Sequence, residues 1–125
     1  MIVGTGVDLE RVDRIRAAIE RHGRRFLERV FTAGEIAYVE SRKHRSESYA
    51  ARFAAKEAAM KALGTGWDRG VRWVDVEIVR EVKGRPELRF HGRAAEIAAE
   101  LGCRSANVSL SHTSDNAIAQ VILES

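Results

Sequence analysis

Two carboxylates, Asp8 and Glu57, occupy places where a carboxylate needs an explanation. Asp8 follows Ile2-Val-Gly-Thr-Gly-Val7, where two glycines leave the backbone open to close approach of a ligand or another chain. Glu57 lies within the alanine-rich stretch Tyr49–Leu63, four residues after Phe53 and three before Met60. On a helix this spacing puts Glu57 at the edge of the apolar stripe, with Lys56 on the other edge and Lys61 one turn on. A carboxylate facing inward requires a partner, because unpaired buried charge is costly. For Glu57 that partner is either Lys61, at the favourable i,i+4 spacing, or a metal ion. Asp8 and Glu57 together suit a hard cation such as magnesium, which takes one or two carboxylates plus phosphate oxygens and water. Zinc is not suggested, because Cys103 is the sole cysteine and no paired-histidine spacing exists. Arg52, Lys56 and Lys61 would neutralise phosphate oxygens. Gly64-Thr65-Gly66 offers N–H groups and a hydroxyl to a phosphate, although it is not a P-loop. Chemistry that uses such parts is transfer at phosphorus, where cations hold the charge of the transition state. Two of these residues also have plain structural readings: Asp8 as the cap of the next helix, and His112 as a hydrogen-bond donor at a strand end. Cys103, just after a glycine and with no obvious base, is a poor nucleophile.

The elements that must position these residues follow from periodicity. Alternation makes residues 2–9 a strand, with Gly4, Gly6 and Asp8 on one face. Residues 10–22 read as a helix ended by Gly23, burying Val12, Ile15 and Ile19. Thr32-Ala-Gly-Glu35 is a capping box that opens a short helix. Residues 40–48 are polar and read as a loop. The stretch 49–63 has seven alanines and no proline, glycine or β-branched residue, so it reads as a helix with Gly64 at its C′ position. Residues 73–79 and 87–91 read as strands joined by a turn at Lys83–Pro86. A helix over 92–101 follows, then strands at 106–112 and 117–123 that pair as a hairpin. The expectation is one α+β domain spanning residues 1–125. It has an antiparallel sheet of about four or five strands with helices packed on one side, and the first strand is inserted among the later ones.

Composition narrows the partners. A net charge of +3 and a pI near 9.4 favour anionic ligands or an acidic protein. Seven arginines against four acids over residues 10–29 make a basic surface. That surface is either a solvated helix laced with ion pairs or a docking face, and arginine suits carboxylate and phosphate. One cysteine allows no intramolecular disulfide, so a reducing cytoplasm is expected. The N-terminus has neither the charged region of a signal peptide nor the long apolar run of a membrane anchor. Few aromatics and many alanines leave a modest core, which fits an oligomer.

Three motifs occur in order: Gly4-x-Gly6-x-Asp8; Arg52-Phe-Ala-Ala-Lys-Glu-Ala58 with Lys61-Ala-Leu-Gly-Thr-Gly66; and Ser109-Leu-Ser-His112. Together they resemble the bacterial holo-[acyl-carrier-protein] synthases, the small class of 4′-phosphopantetheinyl transferases, over nearly the whole chain. The resemblance implies transfer of phosphopantetheine from coenzyme A to a serine of an apo acyl carrier protein. The serine attacks the β-phosphorus, and adenosine 3′,5′-bisphosphate leaves. It also implies that Asp8 and Glu57 hold Mg²⁺. Lys61 would stand by the transferring phosphate as base or charge stabiliser, with Asp8 or a metal-bound water as the other candidate bases. Arg52, Lys56, Gly64, Thr65, Gly66 and His112 would meet the nucleotide, and Arg14, Arg21, Arg24 and Arg25 would grip the acidic carrier. A homotrimer with sites between subunits is implied as well, with neither nucleic acid nor membrane as partner. One departure stands out. Many members carry an acid three residues after the aspartate, where this chain has Arg11; Glu10, on an extended backbone, would face the same way as Asp8. Two competing readings use the same residues: a nucleic-acid-binding module on the arginine-rich helix, and a Mg²⁺-dependent phosphohydrolase. The first lacks stacking aromatics and a reader motif.

Overall fold

The computed structural model describes residues 1–66, 69–80 and 84–125. The elements run β1 (Ile2–Arg11), α1 (Val12–His22), α2 (Arg24–Val30), α3 (Ala33–Glu40), α4 (Arg45–Leu63) and a 3₁₀ turn (Trp73–Asp75), then β2 (Val76–Arg80), β3 (Pro86–Phe90), α5 (Gly92–Glu100), β4 (Ser105–His112) and β5 (Asn116–Glu124).

Helix α4 is the centre. Its seven alanines are all buried, as are Tyr49, Met60 and Leu63, so nearly the whole circumference is covered rather than one stripe. Alanine makes this possible, because small side chains let neighbouring backbones come close. The closest approach is by β1. A Cβ on Gly6 would fall on the Ala58 carbonyl oxygen, and one on Gly4 on that of Ala62. The space cleared by the two glycines is therefore filled by the chain's own helix, not by a ligand. The helix also starts four residues before Tyr49, at Arg45. Glu47 lies in its first turn, where negative charge is favoured, and both Ser46 and Glu47 are bonded by Arg16 of α1. The preceding loop shrinks to residues 41–44.

All strand pairing is antiparallel, but it forms two sheets, β1-β5-β4 and β2-β3, instead of one. β1 does join the later strands, yet at an edge beside β5 rather than between two of them. Its pairing runs on to Arg11 opposite Asn116, so the strand outlasts the expected boundary and α1 begins only at Val12. Asp8 is thus a strand residue and caps nothing. Trp73–Asp75 is a 3₁₀ turn rather than the start of a strand, because the Asp75 carboxylate accepts from the Arg72 backbone N–H and guanidinium, both at 3.0 Å. The capping box at Thr32 and Glu35, the left-handed Gly64 and the β4–β5 hairpin match the sequence reading. In the expected turn at 83–86, Lys83 lies outside the described residues; Gly84 has φ +110°.

α4 covers the inner face of the three-stranded sheet, and α1 packs against α4. The outer face carries Val7, Leu9 and Ile118, which are exposed by 54%, 64% and 42%. Among the described residues, no helix is long and apolar enough to cross a membrane.

Gly6→Ala is expected to cost about 1–3 kcal/mol, because a methyl group there must push β1 off α4. Gly34→Ala, at an exposed position of α3 where the new Cβ would lie 3.7 Å from Glu77 Oε2, should be neutral or stabilising. Urea unfolding midpoints of the two variants test the contrast.

Candidate functional site

The close packing of β1 on α4 brings a cluster of carboxylates together. Asp8 and Glu10 point the same way from β1, and Glu57 and Lys61 project from α4 one turn apart. Lys61 Nζ donates to Asp8 Oδ1 (3.1 Å) and to the Val7 carbonyl (3.0 Å). Its ion pair is with Asp8 across the packing interface, so the i,i+4 bridge to Glu57 gives way to a tertiary one. Burial and the neighbouring carboxylates of Asp8 and Glu57 push Glu10 up to about 7, against the opposing pull of Arg14. Burial and Asp8 also raise Glu57, opposed by Lys61. Asp8 Oδ2 is buried and has no hydrogen-bond partner among the described residues. Asp8 and Glu57 thus share one ammonium, Glu10 has only the opposing pull of Arg14, and one acceptor goes unused. This excess of half-buried negative charge suits a cation. Among the described residues, no three His, Cys, Asp or Glu side chains make a complete metal cage. The donor set is that of a cation held by one or two carboxylates and completed by its substrate and water.

A second region is basic. A cleft of about 980 Å³ lies between α4, β3 and β4, and its lining includes Arg52, Arg80, Arg85 and His112. A smaller hollow shares Ser48 and His112 with it and adds Arg42, Lys43 and His44. Arg52 Nε and Nη2 are buried without partners among the described residues. Arg52 and Glu57 are five residues apart, roughly 140° around the helix, so the cleft and the carboxylates occupy different flanks of α4. On the sheet, His112 and Glu10 both pair with Ala117, from opposite sides, which separates them by two strand spacings of about 4.8 Å each.

Lys56 belongs to neither group, contrary to its expected contact with the nucleotide. Its side chain is wholly buried, and Nζ donates to Glu35 Oε1 (2.8 Å) and to the carbonyls of Trp73 (3.2 Å) and Val76. All three ammonium protons are engaged. Glu35 in turn accepts from Thr32 N and Ile78 N. The Gly64-Thr65-Gly66 segment also differs from a phosphate cradle. Gly64 N and Thr65 N donate to the carbonyls of Lys61 and Met60, and the Thr65 hydroxyl bonds to Met60 as well. These groups close the end of α4. Arg14, Arg21, Arg24 and Arg25 are exposed on α1 and α2, with Arg24 paired to Glu28 at 3.1 Å.

The sequence reading missed Glu35 as the partner of Lys56. It also missed Arg42, Lys43, His44, Arg80 and Arg85 around the cleft. The run Arg42-Lys-His-Arg45 was the available signal, since four basic residues in succession need an anion or open solvent.

The family model described as the 4′-phosphopantetheinyl transferase superfamily matches residues 4–121. The chain belongs to this superfamily. It is 56% identical to a holo-[acyl-carrier-protein] synthase of Solibacter usitatus over 124 residues, 99% of each chain. The holo-[acyl-carrier-protein] synthase of Neisseria meningitidis superposes with a TM-score of 0.90 at 30% identity, covering 100% of both chains. The Helicobacter pylori synthase, solved in complex with coenzyme A, has a TM-score of 0.84 at 30% identity, covering 96% of this chain and 99% of its own. The fold of this superfamily member is thus the α+β fold of those synthases, with its helices on one side of antiparallel strands.

Replacing Glu35 with Gln should destabilise the protein by about 3–5 kcal/mol, because it leaves the buried Lys56 ammonium without its counter-charge. Lys56→Met combined with Glu35→Gln should recover part of that loss in urea unfolding. A Glu35→Gln variant of wild-type stability would show that the pair is not structural.

Proposed function

We propose that this chain, as one domain of residues 1–125, is a holo-[acyl-carrier-protein] synthase that moves 4′-phosphopantetheine from coenzyme A to a serine of an apo acyl carrier protein. The observation that carries the reading is the set of crowded carboxylates beside Lys61, with a separate basic cleft suited to a nucleotide. The serine oxygen forms a bond to the β-phosphorus of the coenzyme A pyrophosphate. The bond from that phosphorus to the bridging oxygen breaks, and adenosine 3′,5′-bisphosphate leaves with the oxygen. The serine proton passes to a base.

Asp8 and Glu57 would hold Mg²⁺, whose chemistry here is neutralisation of the pyrophosphate charge. The buried, unpartnered Asp8 Oδ2 and the upward pressure on Glu57 support this assignment. Glu10, turned toward Asp8, would support the same cation through water. Lys61 already donates two protons, to Asp8 and Val7, and its third is available to a phosphate oxygen. This suits Lys61 to charge stabilisation. Arg52 and His112 would bind the nucleotide in the cleft, and Gly66 would lie near it.

Because the carboxylates and the cleft occupy different flanks of α4, a complete site calls for residues from two copies of the chain. The exposed Val7, Leu9 and Ile118 on the outer sheet face supply an apolar surface for a homotrimer. Arg14, Arg21, Arg24 and Arg25 would dock the acidic carrier, by charge complementarity. A cytoplasmic setting fits this substrate pair.

Mass spectrometry of an apo carrier protein incubated with the enzyme, coenzyme A and Mg²⁺ should show the gain of one phosphopantetheine. An intact, folded carrier with no gain would sink the reading. Glu57→Gln should abolish transfer and retain the wild-type circular dichroism spectrum; surviving activity would remove Glu57 from the metal site. Arg14→Glu combined with Arg21→Glu should raise KM for the carrier roughly tenfold or more and leave coenzyme A binding within about twofold. Equal losses for both substrates would place the carrier elsewhere.

A further inference from the structure

Glu10 is half-buried on β1, and alternation puts it on the same face as Asp8. Arg11, the next residue, falls on the other face and is already neutralised, with Nη2 2.8 Å from Asp13 Oδ2. Arg14, in the first turn of α1, is exposed and pulls on Glu10 from a distance, with no ion pair between them among the described residues. Lys61 is engaged by Asp8 and the Val7 carbonyl. The groups acting on Glu10 are therefore mostly negative, namely Asp8 and Glu57, and among the described residues no cation is in contact with it.

The charge count separates this arrangement from a site of two carboxylates. Asp8, Glu57 and Lys61 together leave one negative charge in excess. A divalent cation on that set would be left with positive charge unbalanced until a phosphate arrived. Glu10 raises the excess to two, which is the charge of the ion itself. At about 6 Å, even the dielectric constant of water gives one additional charge a roughly tenfold effect on the affinity for a divalent ion. Asp8 Oδ2, buried and without a partner among the described residues, is an acceptor already stripped of water. Because no three of these side chains close into a cage among the described residues, the effect of Glu10 is that of a charge at a distance.

We propose that Glu10 is a positioning residue for the cation, acting by charge rather than by contact, and that it lets this chain hold a divalent cation before any nucleotide binds. This role rests on the cation site assigned above to Asp8 and Glu57. Its consequence is an order of assembly. A cluster with two excess negative charges repels a pyrophosphate, and a cluster loaded with a divalent ion does not.

Electron paramagnetic resonance of free Mn²⁺, titrated with the full-length protein in the absence of nucleotide at about pH 8, where carboxylates are ionised, reads the affinity directly. Wild-type protein should bind Mn²⁺, and Glu10→Gln should bind it roughly tenfold more weakly or worse. Glu10→Asp, which keeps the charge, should stay within about threefold of wild type. With coenzyme A at saturation the Glu10→Gln deficit should shrink below about threefold, because the pyrophosphate then provides the missing negative charge. Thermal unfolding is a second readout. Without metal, Glu10→Gln should melt higher than wild type, since repulsion is removed, and it should gain less from added Mn²⁺. Loss of a merely structural carboxylate would lower the midpoint instead. A wild type that binds no Mn²⁺ without nucleotide overturns this role. So does a Glu10→Gln that binds as tightly as wild type, or one that melts lower or does not fold without metal, because the fold then needs that charge. A deficit that persists with coenzyme A bound would make Glu10 a direct ligand, which overturns action at a distance. The Mn²⁺ titration needs neither carrier protein nor coenzyme A. A failed transfer reaction with the Glu10 effect intact would therefore remove the proposed function and leave this role. Successful transfer with wild-type Mn²⁺ affinity in Glu10→Gln would do the reverse.

Discussion

The approach of β1 to the backbone of α4 at Gly4 and Gly6 is the constraint on which the rest depends. With any side chain at either glycine, the strand would collide with the carbonyls of Ala58 and Ala62. Only because the two backbones nearly touch does Asp8, two residues beyond Gly6, come within reach of Lys61. The same contact crowds Asp8, Glu10 and Glu57 into one region of low hydration, where each negative charge makes the next harder to hold. The packing that builds the core therefore also creates the electrostatic excess that a cation would relieve. The alanines of α4 serve the same end from the other side, since bulkier residues would hold the strand away.

A second anchor fixes the opposite side of the helix. The buried Lys56–Glu35 pair ties α4 to the start of α3 and, through Ile78 N and the carbonyls of Trp73 and Val76, to the 3₁₀ turn and β2. Such a pair gains little net stability over apolar groups of similar shape, yet breaking it strands a charge in the core. Its effect here is registry. It sets where β2 leaves the helix, and hence where Arg80 stands relative to Arg52. Phe31, with the Lys56 ammonium 5.6 Å from its ring, and Tyr49, 5.0 Å from Phe31, close the surrounding core.

Between these two anchors α4 separates two kinds of charge, acidic beside β1 and basic toward β3 and β4. The acidic flank suits a cation and the basic flank an anion. The outer face of the three-stranded sheet, turned away from α4, leaves the apolar Val7, Leu9 and Ile118 exposed.

Several features were legible in the sequence because they rest on local rules. The capping box at Thr32–Glu35, the left-handed Gly64, the alternation of β1 and the terminal hairpin need only neighbouring residues to specify them. Asp8, Glu57 and Lys61 were identifiable through residue type and motif, and the shared orientation of Asp8 and Glu10 followed from extended geometry alone. Tertiary structure decided the remainder. Lys56 and Glu57 are adjacent in the sequence, and no helical wheel reveals that the first finds a carboxylate 21 residues away while the second does not bond to Lys61. The N–H groups after α4 were free on paper and are taken up by the helix end in space. The split into two sheets and the edge position of β1 also depend on contacts between distant segments, which set the energy of a buried charge or an unpaired strand. Sequence alone thus determined which carboxylates and basic residues are candidates for the chemistry. Packing decided which charge is neutralised, which is left in excess, and on which flank of α4 each one lies.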